Sequence, residues 1–293
     1  KNKLGTPILI GTEKRIKEQL KNIGFDENYN IEIVNSTDAD KRKKYVQYLY
    51  QKLQREGQLE RDVDRLVRND RIAWGASMIA CKDADAMVTG NIRHYAASIE
   101  KLKKVTEPRP GEEIFGMTMI TLKGKTILVA DTNVQDFPSP DRLVKVSKSC
   151  VRVARLFGFD PKVAFLSHST FGKPISKNTK HVRDAIDLLK KEKVDFDFDG
   201  EMQPDVALNP IYQEIYPFSK IVGNANILIM PALHSAAIST KLMKVFGGGK
   251  LIGPLLIGLG SPIEVAPLRA STSEILNLAS IAAYSSDVID YSN

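Results

Sequence analysis

Val163-Ala164-Phe165-Leu166-Ser167-His168-Ser169-Thr170-Phe171-Gly172 is the stretch on which the fold turns. Four apolar residues in a row read as a buried strand, and small hydroxyl residues with a glycine follow at once. In open α/β sheets ligands bind at that edge, the carboxyl end of the strands. Hydroxyl groups and glycine amides there offer donors to a phosphate without steric obstruction. The same residues also read as a hydrogen-bonded strand-to-loop turn in which His168 merely satisfies backbone, and both readings stay open. A serine nucleophile is a poorer reading: the local sequence is not Gly-x-Ser-x-Gly, and spacing indicates no histidine–carboxylate pair.

Strands and helices alternate outward from this point. Residues 6–11, 31–34 and 86–90 read as strands, and 13–23, 40–54 and 59–80 as helices, the last as one long element. Beyond Pro108-Arg109-Pro110-Gly111, residues 115–122 and 126–130 read as a hairpin turned by Lys123-Gly124-Lys125. Serine and proline before Asp141 announce a helix to 157, which Gly158 stops. Helices are expected over 180–191, 235–246 and 271–283, and a strand over 225–230, ended by Pro231. Alternation at this spacing predicts an α/β protein with mostly parallel sheets and helices on both faces.

The chain has 293 residues, 43% of them hydrophobic and 26% charged, enough for two domains with substantial cores. Its net charge of +7 is spread over helices that also carry acids, and no nucleic-acid recognition motif accompanies it. An anionic small molecule fits that balance as well. No apolar run approaches the roughly 18–20 residues of a membrane span, and no secretory signal is present. Cys81 and Cys150 lie far apart without histidine partners and read as reduced structural thiols. A soluble, cytoplasmic protein is expected. The opening Lys1-Asn2-Lys3 has no initiator methionine, which suggests a fragment of a longer chain.

Three further stretches compete for a chemical role. Gly90-Asn91-Ile92-Arg93-His94 is a strand-end turn in which Arg93 reads either as an anion contact or as a solvated helix-start arginine. Asp195, Asp197, Asp199, Glu201 and Asp205 offer oxygens to a hard cation, but the run lacks the calcium-loop pattern. Its alternation with Val194, Phe196 and Phe198 describes an edge strand with a wet face, so no metal is assigned. Gly247-Gly248-Gly249 and Gly258-Leu259-Gly260 lack the spacing of a dinucleotide fingerprint and read as a helix stop and a loop.

Taken together, Val129-Ala130-Asp131, the 163–172 stretch, Asp199-Gly200-Glu201-Met202-Gln203, Ala225-Asn226-Ile227-Leu228 and Gly253-Pro254-Leu255-Leu256 resemble the phosphate acetyl/butyryl transferase family. The motifs occur in the family's order between Pro7 and Ala283. The resemblance implies two α/β/α lobes with an interdomain cleft, an architecture like that of isocitrate and isopropylmalate dehydrogenases. Residues 1–126 with 257–293 would form the first lobe, and 127–256 an inserted second lobe. Within the family the chain is most similar to the C-terminal domain of large bacterial NADP-dependent malic enzymes, on the basic helix 45–58, the segment 71–90 and residues 166–172. Those enzymes carry malic and nicotinamide domains upstream, where NADP and Mg or Mn would bind.

One departure bears on activity. Family transferases carry a Ser-Arg pair before the last helix, with an acid shortly after; here Pro267 and Leu268 stand in those places. Arg269 is one residue out of register, and Glu274 matches the acid. Acyl transfer needs the charge on an acyl phosphate neutralised while a thiolate attacks, which proline and leucine do not provide. The resemblance therefore implies a regulatory domain that senses acetyl-CoA, with Arg93, Asp131, Ser167, Ser169, Gly172, Arg269 and Glu274 as its ligand residues and no catalytic residue assigned. A leucine at Ser169 is expected to weaken binding without unfolding. The alternatives are an active phosphate acyltransferase, making acetyl-CoA from acetyl-phosphate and CoA, and a structural oligomerisation module. The expected partners are a CoA ester, the protein's own N-terminal malic enzyme domains and further copies of the chain, as a dimer or higher oligomer; nucleic acid and membrane are not expected.

Overall fold

Strand and helix alternate through the computed structural model, which describes residues 5–25, 31–174 and 179–289. The chain forms two compact units, Lys1–Glu107 with Gly260–Asn293, and Pro108–Leu259. Elements are numbered in chain order across both.

In the first unit β1 (Ile8–Ile10) pairs in parallel with β2 (Glu32–Val34), and β3 (Met87–Gly90) in parallel with β10 (Ile263–Ala266). Around them stand α1 (Glu13–Asn22), α2 (Ala39–Leu53), α3 (Glu60–Asn69), α4 (Arg71–Ala80), α5 (Tyr95–Val105) and α10 (Thr272–Val288). Charged residues alternate with Val63 and Val67 on α3, whereas α4 is apolar on nearly every face and almost wholly buried. A helix apolar all round belongs in a core, and Trp74 lies there edge-on to Tyr45 with ring centres 4.9 Å apart. The single helix expected over 59–80 is thus two. Asp70 leaves helical geometry, and its side chain accepts from the N–H groups of Ile72 (2.9 Å) and Ala73 (3.4 Å), starting α4 afresh.

The second unit is built on one six-stranded sheet. Its strands are β4 (Phe115–Leu122), β5 (Lys125–Ala130), β6 (Lys162–Leu166), β7 (Asp197–Met202), β8 (Ile227–Ile229) and β9 (Lys250–Ile257), in the order β7-β6-β8-β5-β4-β9. The four strands from β7 to β5 are parallel, and β4 runs antiparallel to both its neighbours. Helices α6 (Pro140–Leu156), α7 (Lys180–Glu192), α8 (Pro204–Leu208) and α9 (Leu233–Phe246) complete it. Ser139 caps α6 by accepting from Arg142 N–H, with Pro140 in the first turn.

The division between units falls at 107/108 and 259/260, not at the expected 126/127 and 256/257. The physical reason is the hairpin: β4 pairs with β5 from Met117↔Ala130 to Leu122↔Lys125 and with β9 on its other side. A boundary inside that hairpin would cut a continuous ladder. Of the acidic run, Asp197, Asp199 and Glu201 lie on the edge strand β7, whereas Asp195 precedes it and Asp205 opens α8. Both cysteines are free thiols. Burial, reinforced by the nearby charge of Asp131, pushes the Cys150 thiol up, so it stays protonated at neutral pH. Among the described residues no helix is long and apolar enough to cross a membrane.

Candidate functional site

At the carboxyl edge of the parallel strands of the second unit, three polar segments come together. β6 ends at Leu166, and Ser167 N–H donates to the Met202 carbonyl of β7 (2.9 Å). Ser169 Oγ, on a residue with no exposed surface, lies 3.1 Å from Ser167 Oγ and donates to Glu201 Oε1 (2.9 Å). Gly172 N–H donates to the same oxygen at 3.0 Å, and Arg183 Nη1 at 3.2 Å. A hydroxyl, an amide and a guanidinium therefore converge on one carboxylate oxygen of a residue only 1% exposed. Charge-assisted bonds of this kind are the strong ones. Arg183 is steadied in turn by Thr179 Oγ1 (2.9 Å).

Glu201 reaches the interior because the alternation of β7 breaks at Gly200. That glycine has φ +143°, and a Cβ there would stand 2.6 Å from the Phe165 carbonyl oxygen. The pairing of β6 with β7 shifts register at the same place. The change of phase turns inward a glutamate that strict alternation would not place there. Its neighbour Asp199 accepts instead from Gly200 N–H (2.9 Å) and Lys220 N–H (2.8 Å). The acids are thus separately engaged, and among the described residues no group of three or more His, Cys, Asp or Glu could hold a metal ion.

Asp131 follows β5. Its Oδ1 accepts from Gly116 N–H (2.9 Å), Asn133 N–H (2.9 Å) and Val134 N–H (3.1 Å), and Oδ2 from Gln135 N–H (2.9 Å). Burial pushes its carboxyl above the ordinary value, and the four amides offset that only in part. The side chain shapes the 131–135 turn and ties it to β4.

The remaining expected residues belong to the first unit. The loops after β3 and β10 are laced together: Asn91 N–H donates to the Ala266 carbonyl (3.2 Å) and Arg269 N–H to the Asn91 carbonyl (3.0 Å). Only glycine fits at position 90, where φ is +105° and a Cβ would meet the Ala266 oxygen at 2.3 Å. The structure thus brings the Arg93 and Arg269 loops to one edge. Arg93, its side chain 40% exposed, donates from Nη1 to Asp70 Oδ2 at 3.0 Å, and Lys101 bonds to the same oxygen. Burial alone would raise the Asp70 carboxyl, but the bonds from Lys101, Arg93 and Ile72 N–H outweigh it and hold the group below its ordinary value. Glu274 has a local task, closing a capping box in which Ser271 N–H (2.8 Å) and Ser271 Oγ (2.9 Å) donate to it.

Of the seven expected residues, four lie in the second unit and three in the first. Sequence reading passed over Glu201 as a binding partner and left out Arg183, Asp70 and Lys101 altogether. The glycine at the end of the β7 alternation was the one local signal for Glu201; the other three are joined across 18 to 31 positions of chain. Ser169 Oγ bonds to Glu201 and Ser167, not to a histidine, and His168 is exposed with its carbonyl accepting from Gln203 Nε2 (2.9 Å). An anion approaching the Ser169–Gly172 turn would compete with Glu201 for the same donors. Because Ser169 is fully buried, a leucine there would overpack the turn, so the expectation that Ser169→Leu leaves the fold intact is withdrawn; Ser169→Ala isolates the hydroxyl.

Comparison with known proteins agrees with this architecture. The pattern of the phosphate acetyl/butaryl transferase family matches residues 1–283. The NADP-dependent malic enzyme of Rhizobium meliloti (strain 1021) is 43% identical over 96% of this chain, which spans 37% of that protein's length. The phosphate acetyltransferase of Staphylococcus aureus (strain MRSA252) is 26% identical over 95% of this chain and 86% of its own. Among solved structures, a phosphotransacetylase from Streptococcus pyogenes superposes with a TM-score of 0.87 at 27% identity, covering 96% of this chain and 86% of its own. With the match running from the first residue into the last helix, and the parallel strands ending in the expected polar turns, the chain belongs to the phosphate acetyl/butaryl transferase family.

Proposed function

We propose that this domain is a regulatory member of the family: it binds a CoA ester, acetyl-CoA in the first instance, and adjusts the activity of malic enzyme domains in the same protein. The parent would convert malate to pyruvate with NADP, its NADP and its Mg or Mn held by domains other than this one. The likeness to malic enzymes, of which the chain spans little more than a third, supports that parentage. The observation that carries the binding reading is the polar cluster of Ser167, Ser169, Gly172 and Arg183 at the carboxyl edge of parallel strands, where ligands of such sheets gather. Two features argue against acyl transfer: proline and leucine occupy positions 267 and 268, and the Glu274 carboxylate is engaged in capping its own helix.

Calorimetric titration with acetyl-CoA tests the reading. Replacing both Ser167 and Ser169 by alanine removes two neighbouring hydroxyls and should weaken binding by about tenfold. Unchanged affinity in that folded variant would place the pocket elsewhere. Thioester formation from acetyl-phosphate and CoA above background would make the domain an active acyltransferase instead. Undetectable acetyl-CoA binding by an intact oligomer would leave it a structural module.

Self-association is part of the same proposal. Ile238, Leu242 and Val245 share one stripe of α9 and all three are exposed, with Phe246 beside them, while the helix buries only Ala236 and Thr240. The helix α10 buries Leu278 and Ala282 and exposes Leu276, Tyr284 and Val288. Exposed apolar stripes of this kind mark interaction surfaces, and two-fold pairing is the commonest closed arrangement of like chains. Sedimentation at micromolar concentration decides the point: a single species at the monomer mass rejects the pairing, and Leu242→Glu should produce that species from an oligomer.

A further inference from the structure

Between α6 and the segment that enters β7 lies an open cavity of about 400 Å³ that belongs to none of the sites above. Its apolar wall is Val151 and Leu156 of α6 with Val194 and Phe196 of the segment entering β7. Its rim carries Lys148, Arg152 and Arg155, at the helical spacing that puts them on one face, together with one acid, Asp195. Each cation touches a carboxylate: Lys148 bonds to Glu192, Arg152 Nη2 to Glu112 Oε2 (2.8 Å), and Arg155 Nη1 to Asp195 Oδ2 (3.1 Å). Glu112 is shared with Arg109, whose Nη1 lies 3.2 Å from it.

The pairs differ in how firmly they hold. Asp195 is 78% exposed and Glu192 is exposed as well, and ion pairs in water contribute little. Another anion can replace those two carboxylates at little cost. Arg155 would keep its place during the exchange, because its Nη2 also donates to the Asp195 carbonyl (3.1 Å). The hydrogen bond of Arg152 uses one nitrogen of its fork, and the planar group presents further donors. An apolar wall beneath these cations suits a molecule that carries both an acidic group and an apolar body, and the volume of this solvent-open depression is of the size that small ligands occupy.

We propose that this cavity binds a small organic anion, with its acidic group against Arg152 and Arg155 and an apolar body over Val151, Val194 and Phe196. The site lies on the helical face of the second unit, apart from the Ser169–Glu201 cluster, and does not depend on the reading given to that cluster. Calorimetric titration of the whole chain with sodium octanoate tests it. Saturable binding at a single site is expected, tighter by about tenfold or more than octanol, which lacks the charge, or acetate, which lacks the chain. Arg155→Glu reverses an exposed charge and Val194→Trp fills the wall; each should weaken octanoate by about tenfold while melting as the parent does. If Val194→Trp melts early, Arg155→Glu decides alone, since its side chain stands in solvent. Octanol binding as well as octanoate, full affinity in the Arg155→Glu chain, or no saturable binding at millimolar octanoate overturns the proposal.

Discussion

Asp70 in the first unit and Asp131 in the second expose nearly the same small fraction of surface, 5% and 6%, but Asp131 is enclosed by more protein and their carboxyls shift in opposite directions. Both follow or precede regular elements and both accept backbone N–H groups. Asp70 adds two side-chain cations, Lys101 and Arg93, and is held below the ordinary aspartate value. Asp131 accepts four backbone amides and no side-chain cation, and burial keeps it above. Two causes separate them: Asp131 is enclosed by more protein and pays more for desolvation, and Asp70 is faced by two formal positive charges. The two positions therefore do different work: one carries charge where cations gather, the other holds a turn.

The largest expected effect is that of Asp131→Ala, which leaves four backbone donors unpaired in a buried turn and should cost roughly 3 kcal/mol or more, read from denaturant unfolding. Asp131→Asn keeps one acceptor oxygen and should cost distinctly less; equal costs would show that the turn does not depend on those hydrogen bonds. Asp70→Asn comes next, at about 1–2 kcal/mol, because it removes the charge between Arg93 and Lys101 while water partly screens those two side chains.

Acid sharpens the contrast between the two carboxylates. A depressed carboxyl contributes stability above the ordinary aspartate value of 3.8, and that stability is lost as pH falls through its folded value. A raised carboxyl contributes most below the ordinary value and loses that contribution as pH rises through its folded value. Melting temperatures followed from about pH 7 to about pH 3 should show the wild-type advantage over Asp70→Asn shrinking, and that over Asp131→Asn growing. Parallel trends would break the comparison. The smallest effect, about 0.5–1 kcal/mol, belongs to Glu274→Ala, which opens the capping box of α10. A much larger loss, in acetyl-CoA binding rather than in stability, would return Glu274 to the ligand site.

Much of this was legible from residues alone, for physical reasons that differ from element to element. The strand at 163–166 and the helix from Ser139 onward announced themselves through an unbroken apolar run and a serine–proline start, both local signals. The break at Asp70 was masked because apolar periodicity continues from α3 into α4, and a cap is visible only once the side chain is seen to turn back on Ile72. β10 is only four residues long, too short for a periodic signature between the Gly-Ser-Pro turn before it and Pro267 after it, and its partner β3 lies more than 170 positions earlier.

Neighbouring residues and motif order were enough to read the α/β class, the hairpin, the polar turn after β6 and the family. What the polar residues do depends on strand order and register. The tertiary structure showed that the donors of Ser169, Gly172 and Arg183 meet on Glu201, that Arg93 pairs with Asp70, and that Asp131 shapes a turn. A side chain's partner is set by which strands lie side by side and where a ladder slips by one residue, and those are relations between distant parts of the chain that local composition does not encode.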